Sequence, residues 1–225
     1  MSRIGLFLLL LALSAAALLA QTTGTRTVQA SGTATQSANP DQAQLDVGVV
    51  TLGATAQESA QQNATQTTAV LNGVKAVLGA NGTVQTVSYS VYARYNNAQP
   101  SVIVGYTTSN MVRVTTTDLS IVGRLIDAAN QAGANSVGGL SFGLLDPEPL
   151  VQQALTQATK QALAHAGAIA AGLGGKVGAV LSAQEGVSYT PMPVASAGIA
   201  AAPTTPVQTG TVTVYASVTI NVLLQ

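Results

Sequence analysis

Residues 42–53 read QAQLDVGVVTLG and residues 55–78 read TAQESAQQNATQTTAVLNGVKAVL. In the first stretch Ala43, Leu45, Val47 and Val49 alternate with Gln42, Gln44, Asp46 and Gly48. A period of two predicts a half-buried strand, here ending at Gly53. In the second stretch the period changes. Ala56, Ala60, Ala64, Val70, Leu71, Val74, Val77 and Leu78 fall at helical spacing, which predicts a helix with one buried face. Thr55 with Glu58 three residues on makes a capping box for its start. A strand of alternating type that hands over to an amphipathic helix is the unit from which the rest of the fold is read.

Working outward, the same alternation of elements continues. Arg26 to Thr35 reads as a first strand, with Gly32 as a candidate bulge. Asn39-Pro40-Asp41 is a turn. Val84 to Tyr95 is a strand, and Val102–Thr108 with Asn110–Thr117 form two further strands or one long one. Asp118 caps a helix running to about Gln131, closed by Gly133. Val137–Leu145 is a strand. Glu148 to about Leu173 is the longest helix, with an alanine-rich face, and Val177–Gln184 is the next strand. Residues 186–208 hold Pro191, Pro193, Pro203 and Pro206 and no charge, which predicts a long loop or interaction arm. Thr209–Leu224 closes the chain as a strand of strict alternation, long enough for a central position or a projecting arm. The order ββα-ββ(β)α-βα-ββ indicates an α+β fold, a mixed or antiparallel sheet with helices packed on one face and a long C-terminal strand.

Composition excludes more than it assigns. Eight Lys+Arg balance eight Asp+Glu in 225 residues, so charged residues make up 7% of the chain, against roughly 25% in an average soluble protein. Eight dispersed cations cannot make the basic patch that nucleic acid requires. Hydrophobic residues at 47% exclude a charge-extended disordered chain. There is no cysteine, one histidine and no tryptophan. Thiolate chemistry is therefore absent and other catalytic side chains are scarce.

Residues 1–20 read as a signal peptide: Arg3 as the positive region, Ile4–Leu13 as the apolar core and Ala15-Ala16-Ala17 as small residues for cleavage, with Ala20 as a second cleavage position. An uncleaved anchor is the alternative, since the apolar stretch lies at the lower edge of about 17 residues for a bilayer span. Residues 21–225 then form one domain. With Arg3 removed, seven cations face eight anions.

Few motifs carry chemistry. Gly172-Leu173-Gly174-Gly175-Lys176-Val177 lacks the spacing and the Ser/Thr of a phosphate loop and reads as a helix stop. His165 has no companions for a metal site and no nucleophile elbow, so it reads as a structural histidine. Asp146 and Glu148 flank Pro147 at a helix start, where acids complement the helix dipole. Asn63-Ala64-Thr65 and Asn81-Gly82-Thr83 match glycosylation sequons. Tyr89, Tyr92, Tyr95 and Tyr106 are four of the six tyrosines. Tyr89 and Tyr95 share a strand face and Tyr92 takes the other, so they are candidates for an interface or for a flat ligand.

Ordered blocks along the chain carry a resemblance. Val28-Gln29-Ala30-Ser31-Gly32-Thr33-Ala34 is followed by Pro40-Asp41-Gln42-Ala43 and Val47-Gly48-Val49. Next come Ser88–Tyr95 and Gly105–Asn110, then Val122-Gly123, Gly133-Ala134-Asn135-Ser136, Gly139-Leu140-Ser141-Phe142 and Asp146-Pro147-Glu148. Ala154, Ala158, Ala162 and Ala166, and the terminal Ala216-Ser217-Val218-Thr219, complete the series. In this order the chain resembles the SIMPL-domain family of bacterial secreted and periplasmic proteins. One departure is that the long helix carries Lys160 almost alone where the family has several cations.

The resemblance implies an α+β protein of the periplasm or cell envelope, associated with the outer membrane or a surface layer, with ring-like or barrel-like assembly in some members and links to stress tolerance or surface antigenicity. It carries over no catalytic residue and no cofactor. The expected function is an exported, non-enzymatic envelope protein that forms a homo-oligomer or joins other envelope proteins as a structural or scaffold component. Membrane association is expected to be peripheral at most after signal cleavage. The alternative is a module that binds a lipid, carotenoid or glycan on the tyrosine-bearing strands.

Overall fold

A computed structural model describes residues 25–192 and 205–225. The expected signal peptide and residues 193–204 lie outside the described residues. The element order is β1 (Thr27–Ala38), β2 (Gln42–Gly53), α1 (Ala56–Leu78), β3 (Gly82–Tyr95), β4 (Ile103–Thr116), a 3-10 turn (Leu119–Ile121), α2 (Val122–Gln131), β5 (Ser136–Gly143), α3 (Glu148–Gly172), β6 (Val177–Met192) and β7 (Thr211–Leu224). The strands form two sheets. One has the order β1-β7-β6 and the other β3-β4-β2-β5. The α+β class read from the sequence is therefore the class of the fold.

The chain divides into two compact units, and the boundary cuts through long elements. The larger unit spans Ala34–Gln157 and Gly186–Ala216. Its core lies between one face of the four-stranded sheet and helices α1 and α2. Leu45, Val47 and Val49 of β2, Val112 and Val114 of β4, Val70, Val74 and Leu78 of α1, and Ile121, Leu125 and Ala129 make one buried cluster. Each Val or Leu so buried contributes about 1.5–3 kcal/mol relative to an exposed one. The β2–β4 and β3–β4 ladders are antiparallel. Thr55 caps α1 as read: its Oγ1 accepts from the Glu58 N–H at 3.1 Å, and Glu58 Oε2 accepts from the Ala54 N–H at 2.9 Å.

Among the described residues, the smaller unit comprises residues 25–33 together with Ala158–Glu185 and Ser217–Gln225. Here Ala158, Ala162, Ala166 and Ala170 of α3 are buried, as are Val28 and Ala30 of β1 and Val218, Ile220 and Val222 of β7. The alanine stripe brings helix and strand backbones together. A Cβ on Gly32 would collide with the Ala158 carbonyl and the Ala162 nitrogen. Close helix approach is thus the physical reason for Gly32. On β1, an edge strand, the Ser31 carbonyl accepts from His165 Nδ1 at 2.7 Å and the Thr33 N–H donates to Gln161 Oε1 at 2.6 Å.

Two expectations are corrected. The buried row of α1 is Ser59, Asn63, Thr67, Val70, Val74 and Leu78. Ala56 and Ala60 are only half-buried and Ala64 is exposed; the row runs back from Leu78 in steps of four and three and meets polar residues. Second, the segment read as a loop from residue 186 begins as strand, because β6 continues to Met192. An edge strand tolerates the missing N–H of Pro191 at its end. Of the two readings of residues 102–117, the single long strand is the one found, as β4 (Ile103–Thr116). The alternation read in the last strand matches burial residue by residue from Val212 to Val222, and β7 is the centre of its sheet.

Candidate functional site

The β3–β4 hairpin changes character along its length. At its base Val112, Val114 and Thr116 are buried and Val84 packs on the core cluster. Between Thr86 and Ser88 the register with β4 shifts, which leaves Val87 as an extra residue. The bulge returns Tyr89 to the face of Val84: Tyr89 lies opposite Asn110, Val91 opposite Thr108 and Ala93 opposite Tyr106. Tyr92 lies opposite Thr107 on the other face. Beyond the bulge, β3 presents exposed side chains on both faces, while Thr108 of β4 stays buried. Tyr89, Tyr92 and Tyr95 are 56%, 58% and 54% exposed. Val87, Val91, Val102, Ile103 and Val104 are exposed with them. Arg94 is the only charged residue from Gly82 to Val104. β3 is also a sheet edge.

A polar network fixes where this arm leaves the core. Asn63 is fully buried, and its amide nitrogen donates to the Val49 carbonyl at 2.8 Å and to the Thr108 carbonyl at 3.2 Å. Its Oδ1 accepts from Thr67 Oγ1 at 3.3 Å. Ser59 Oγ and Thr108 Oγ1 lie 2.8 Å apart, and Thr51 Oγ1 donates to the Ser59 carbonyl at 2.7 Å. One helix residue thus reads two strands at once, which sets the axial position of α1 against β2 and β4. Burial also removes Asn63 as a glycosylation acceptor in the folded chain.

Two further side chains finish the sheet. Asn135 accepts from the Val50 N–H and donates to the Val50 carbonyl, both at 2.7 Å, so its amide imitates a strand neighbour beyond the start of β5. On the face away from α1, Arg113 Nε and Nη2 hold both oxygens of Asp46 at 2.7 and 2.8 Å. The Arg113 hydrogen bond is the main reason the Asp46 carboxyl sits below its usual range, with burial opposing it. Gly139, at φ 60°, is required there, because a Cβ would meet Asp46 Oδ2.

The remaining residues singled out in the sequence have structural partners. Asp146 Oδ1 accepts from the Glu148 N–H at 3.0 Å at the start of α3. Gly174, with φ 76°, follows the end of that helix. Among the described residues no group of three His, Cys, Asp or Glu side chains is placed to hold a metal, and no helix is long and apolar enough to cross a membrane. Sequence reasoning missed Asn63, Asn135 and Tyr189. The signal for Asn63 was present in the four-and-three spacing back from Leu78.

The SIMPL family model, described as a protein of unknown function (DUF541), matches residues 28–222. The chain belongs to the SIMPL family. Its relatives include the 26 kDa periplasmic immunogenic proteins of Brucella melitensis and Brucella abortus. Each is 28% identical over 179 residues, which is 77% of this chain and 71% of the relative. Among solved structures, a hydantoinase/carbamoylase family amidase from Burkholderia vietnamiensis aligns over 51% of this chain and 29% of its own, at 9% identity and a TM-score of 0.23, too low to bear on fold or activity. Asn135 and Gly139, both in blocks that resemble the SIMPL family, owe their identities here to the sheet edge and to Asp46.

Proposed function

We propose that this SIMPL protein is an exported, non-enzymatic protein of the periplasm that self-associates as a structural or scaffold component of the cell envelope. The observation that carries the reading is the far half of the β3–β4 hairpin. It holds Tyr89, Tyr92 and Tyr95 with five aliphatic side chains in solvent and a single charge. Apolar clusters of this kind on soluble chains mark contact surfaces. Tyrosine adds buried area at low conformational cost and keeps a hydroxyl for hydrogen bonding. The chain as a whole supplies little repulsion between copies, because its net charge is zero over 225 residues. Export is supported by the leader-like residues 1–20 and by the periplasmic naming of the Brucella relatives.

Light scattering on the protein lacking residues 1–20 tests this. The expected result is a defined oligomer that dissociates when Tyr89, Tyr92 and Tyr95 are all changed to serine. A monomer at high concentration, with no envelope protein recovered alongside it, would overturn the proposal.

A further inference from the structure

The larger unit contains an open cavity of about 380 Å³ that is separate from the hairpin tyrosines. Its walls come from β2, β5, the start of α3 and the part of β6 that the sequence had suggested was loop. Gln42 and Gln44 supply one wall, Ser141 and Phe142 another, and Pro147 and Tyr189 close it. The volume lies at the lower end of the roughly 300–1,000 Å³ usual for small-molecule sites.

The chemistry of the lining selects a ligand class. No lining residue is an acid, a base or a histidine. The nearby carboxylates are already engaged: Asp41 Oδ1 accepts from the Leu145 N–H at 2.6 Å, and Asp146 Oδ1 from that of Glu148. A charged ligand would lose its hydration without a counter-charge, so the ligand is neutral. Three polar groups retain capacity. Gln44 Nε2 donates to Gln42 Oε1 at 3.3 Å, and this leaves the Gln42 amide nitrogen and the Gln44 amide oxygen for a ligand. Tyr189 accepts the Leu144 N–H on its hydroxyl at 3.1 Å, and this leaves its own proton to donate. The Leu144 contact also fixes the ring. Gly143 keeps the wall thin, since a Cβ there would stand 3.3 Å from the Tyr189 hydroxyl.

Phe142 pairs with Ala43 and so turns its ring to the sheet face opposite Gln42 and Gln44, which leaves Tyr189 as the aromatic ring beside the amides. One aromatic ring for an apolar ring face, amides for its hydroxyl groups, and no ionised group is the recognition chemistry of an uncharged sugar. We infer that this cavity, walled by Gln42, Gln44 and Tyr189, binds a neutral pyranose. Leu144 and Val151 add an apolar patch to the lining, and an acetamido methyl fits it. N-acetylated sugars are therefore the preferred members of the class. A glycan chain end and a free monosaccharide present the same ring. The site is independent of self-association, because none of its lining residues belongs to β3 or β4.

Saturation-transfer NMR on the protein lacking residues 1–20 provides the test, with N-acetylglucosamine, glucose, chitotriose and glucuronate as probes. Ring-proton signals are expected for N-acetylglucosamine and glucose, stronger for the first, with glucuronate at least tenfold weaker. Chitotriose binding more tightly than the monosaccharide would identify a glycan chain end as the source, and equal binding a free sugar. Tyr189→Phe, which keeps the ring, and Gln44→Leu, remote from the Leu144 contact, are each expected to weaken binding about tenfold while thermal unfolding stays near that of the parent. No transfer to any neutral sugar at millimolar concentration would overturn the assignment, as would signals unchanged in both variants. Preferential binding of glucuronate, or of a proline-rich peptide over every sugar, would also overturn it.

Discussion

The base and the far half of the β3–β4 ladder use the same residue types and meet opposite environments. At the base, Val112 and Val114 are sealed beneath α1 and α2. In the far half, Val87, Val91, Val102 and Val104 face water beside three tyrosines. The division runs along β3 at the Val87 bulge, while Ser59 and Asn63 of α1 still cover Thr108 of β4. The sheet edges show the same contrast. On β1, His165 and Gln161 occupy backbone groups, and beyond β5 Asn135 does so for Val50. β3 and β6 are edges with apolar residues exposed along them, and β6 carries Glu185 as its only charge. Soluble proteins usually blunt such edges with lysine, proline or cover. This chain covers some edges with specific side chains and leaves others open, and at β3 the open edge adds to the exposed tyrosines as an argument for association through the hairpin.

The contrast can be broken first at the base. Leu125→Ala removes a fully buried side chain from the core cluster and is expected to cost about 2–5 kcal/mol in urea unfolding. Asn63→Ala leaves the Val49 and Thr108 carbonyls without their side-chain donor, for an expected loss of about 1–3 kcal/mol. A loss under a few tenths would mean that the network does not position α1. In the far half, Tyr89→Ser combined with Tyr92→Ser should change monomer stability by no more than about 0.5 kcal/mol, while association measured by sedimentation falls. A core-sized loss of stability there would erase the distinction between the two halves. The smallest effect belongs to the partly exposed Asp46–Arg113 pair. Its contribution is present above the ordinary aspartate range of about 3.9 and is lost as pH falls through the lower folded value. Parent and Asp46→Asn should therefore differ slightly at neutral pH and converge in strong acid. A difference that persists there would mean that the carboxylate charge is not its origin.

Much of the fold was legible because burial follows period. β7 alternates in sequence as it alternates in the sheet, and the Thr55–Glu58 cap and the Asp118 start stand where their side chains predict. What escaped the reading was burial that polar residues achieve by pairing. Ser59, Asn63 and Thr67 do not look like a core row, because Ser59 and Asn63 find partners on β2 and β4 and Thr67 finds its partner in Asn63. The strand at Gly186–Met192 was hidden by Pro191, whose cost vanishes on an open edge. The cavity was hidden for the same reason, since Tyr189 lies in that strand. The hairpin tyrosines were visible as a group; the bulge that sets their facing was not.

Hydrogen exchange at two concentrations tests the central claim most directly. The protein lacking residues 1–20 is labelled dilute and concentrated, and amide protection is compared across Gly82–Thr116. Extra protection on concentration, confined to the β3 edge and the far half from Val87 to Val104 and absent from the base, is the predicted result. Protection that does not change with concentration, or that rises only outside the hairpin, would contradict the assignment of this arm as the association surface.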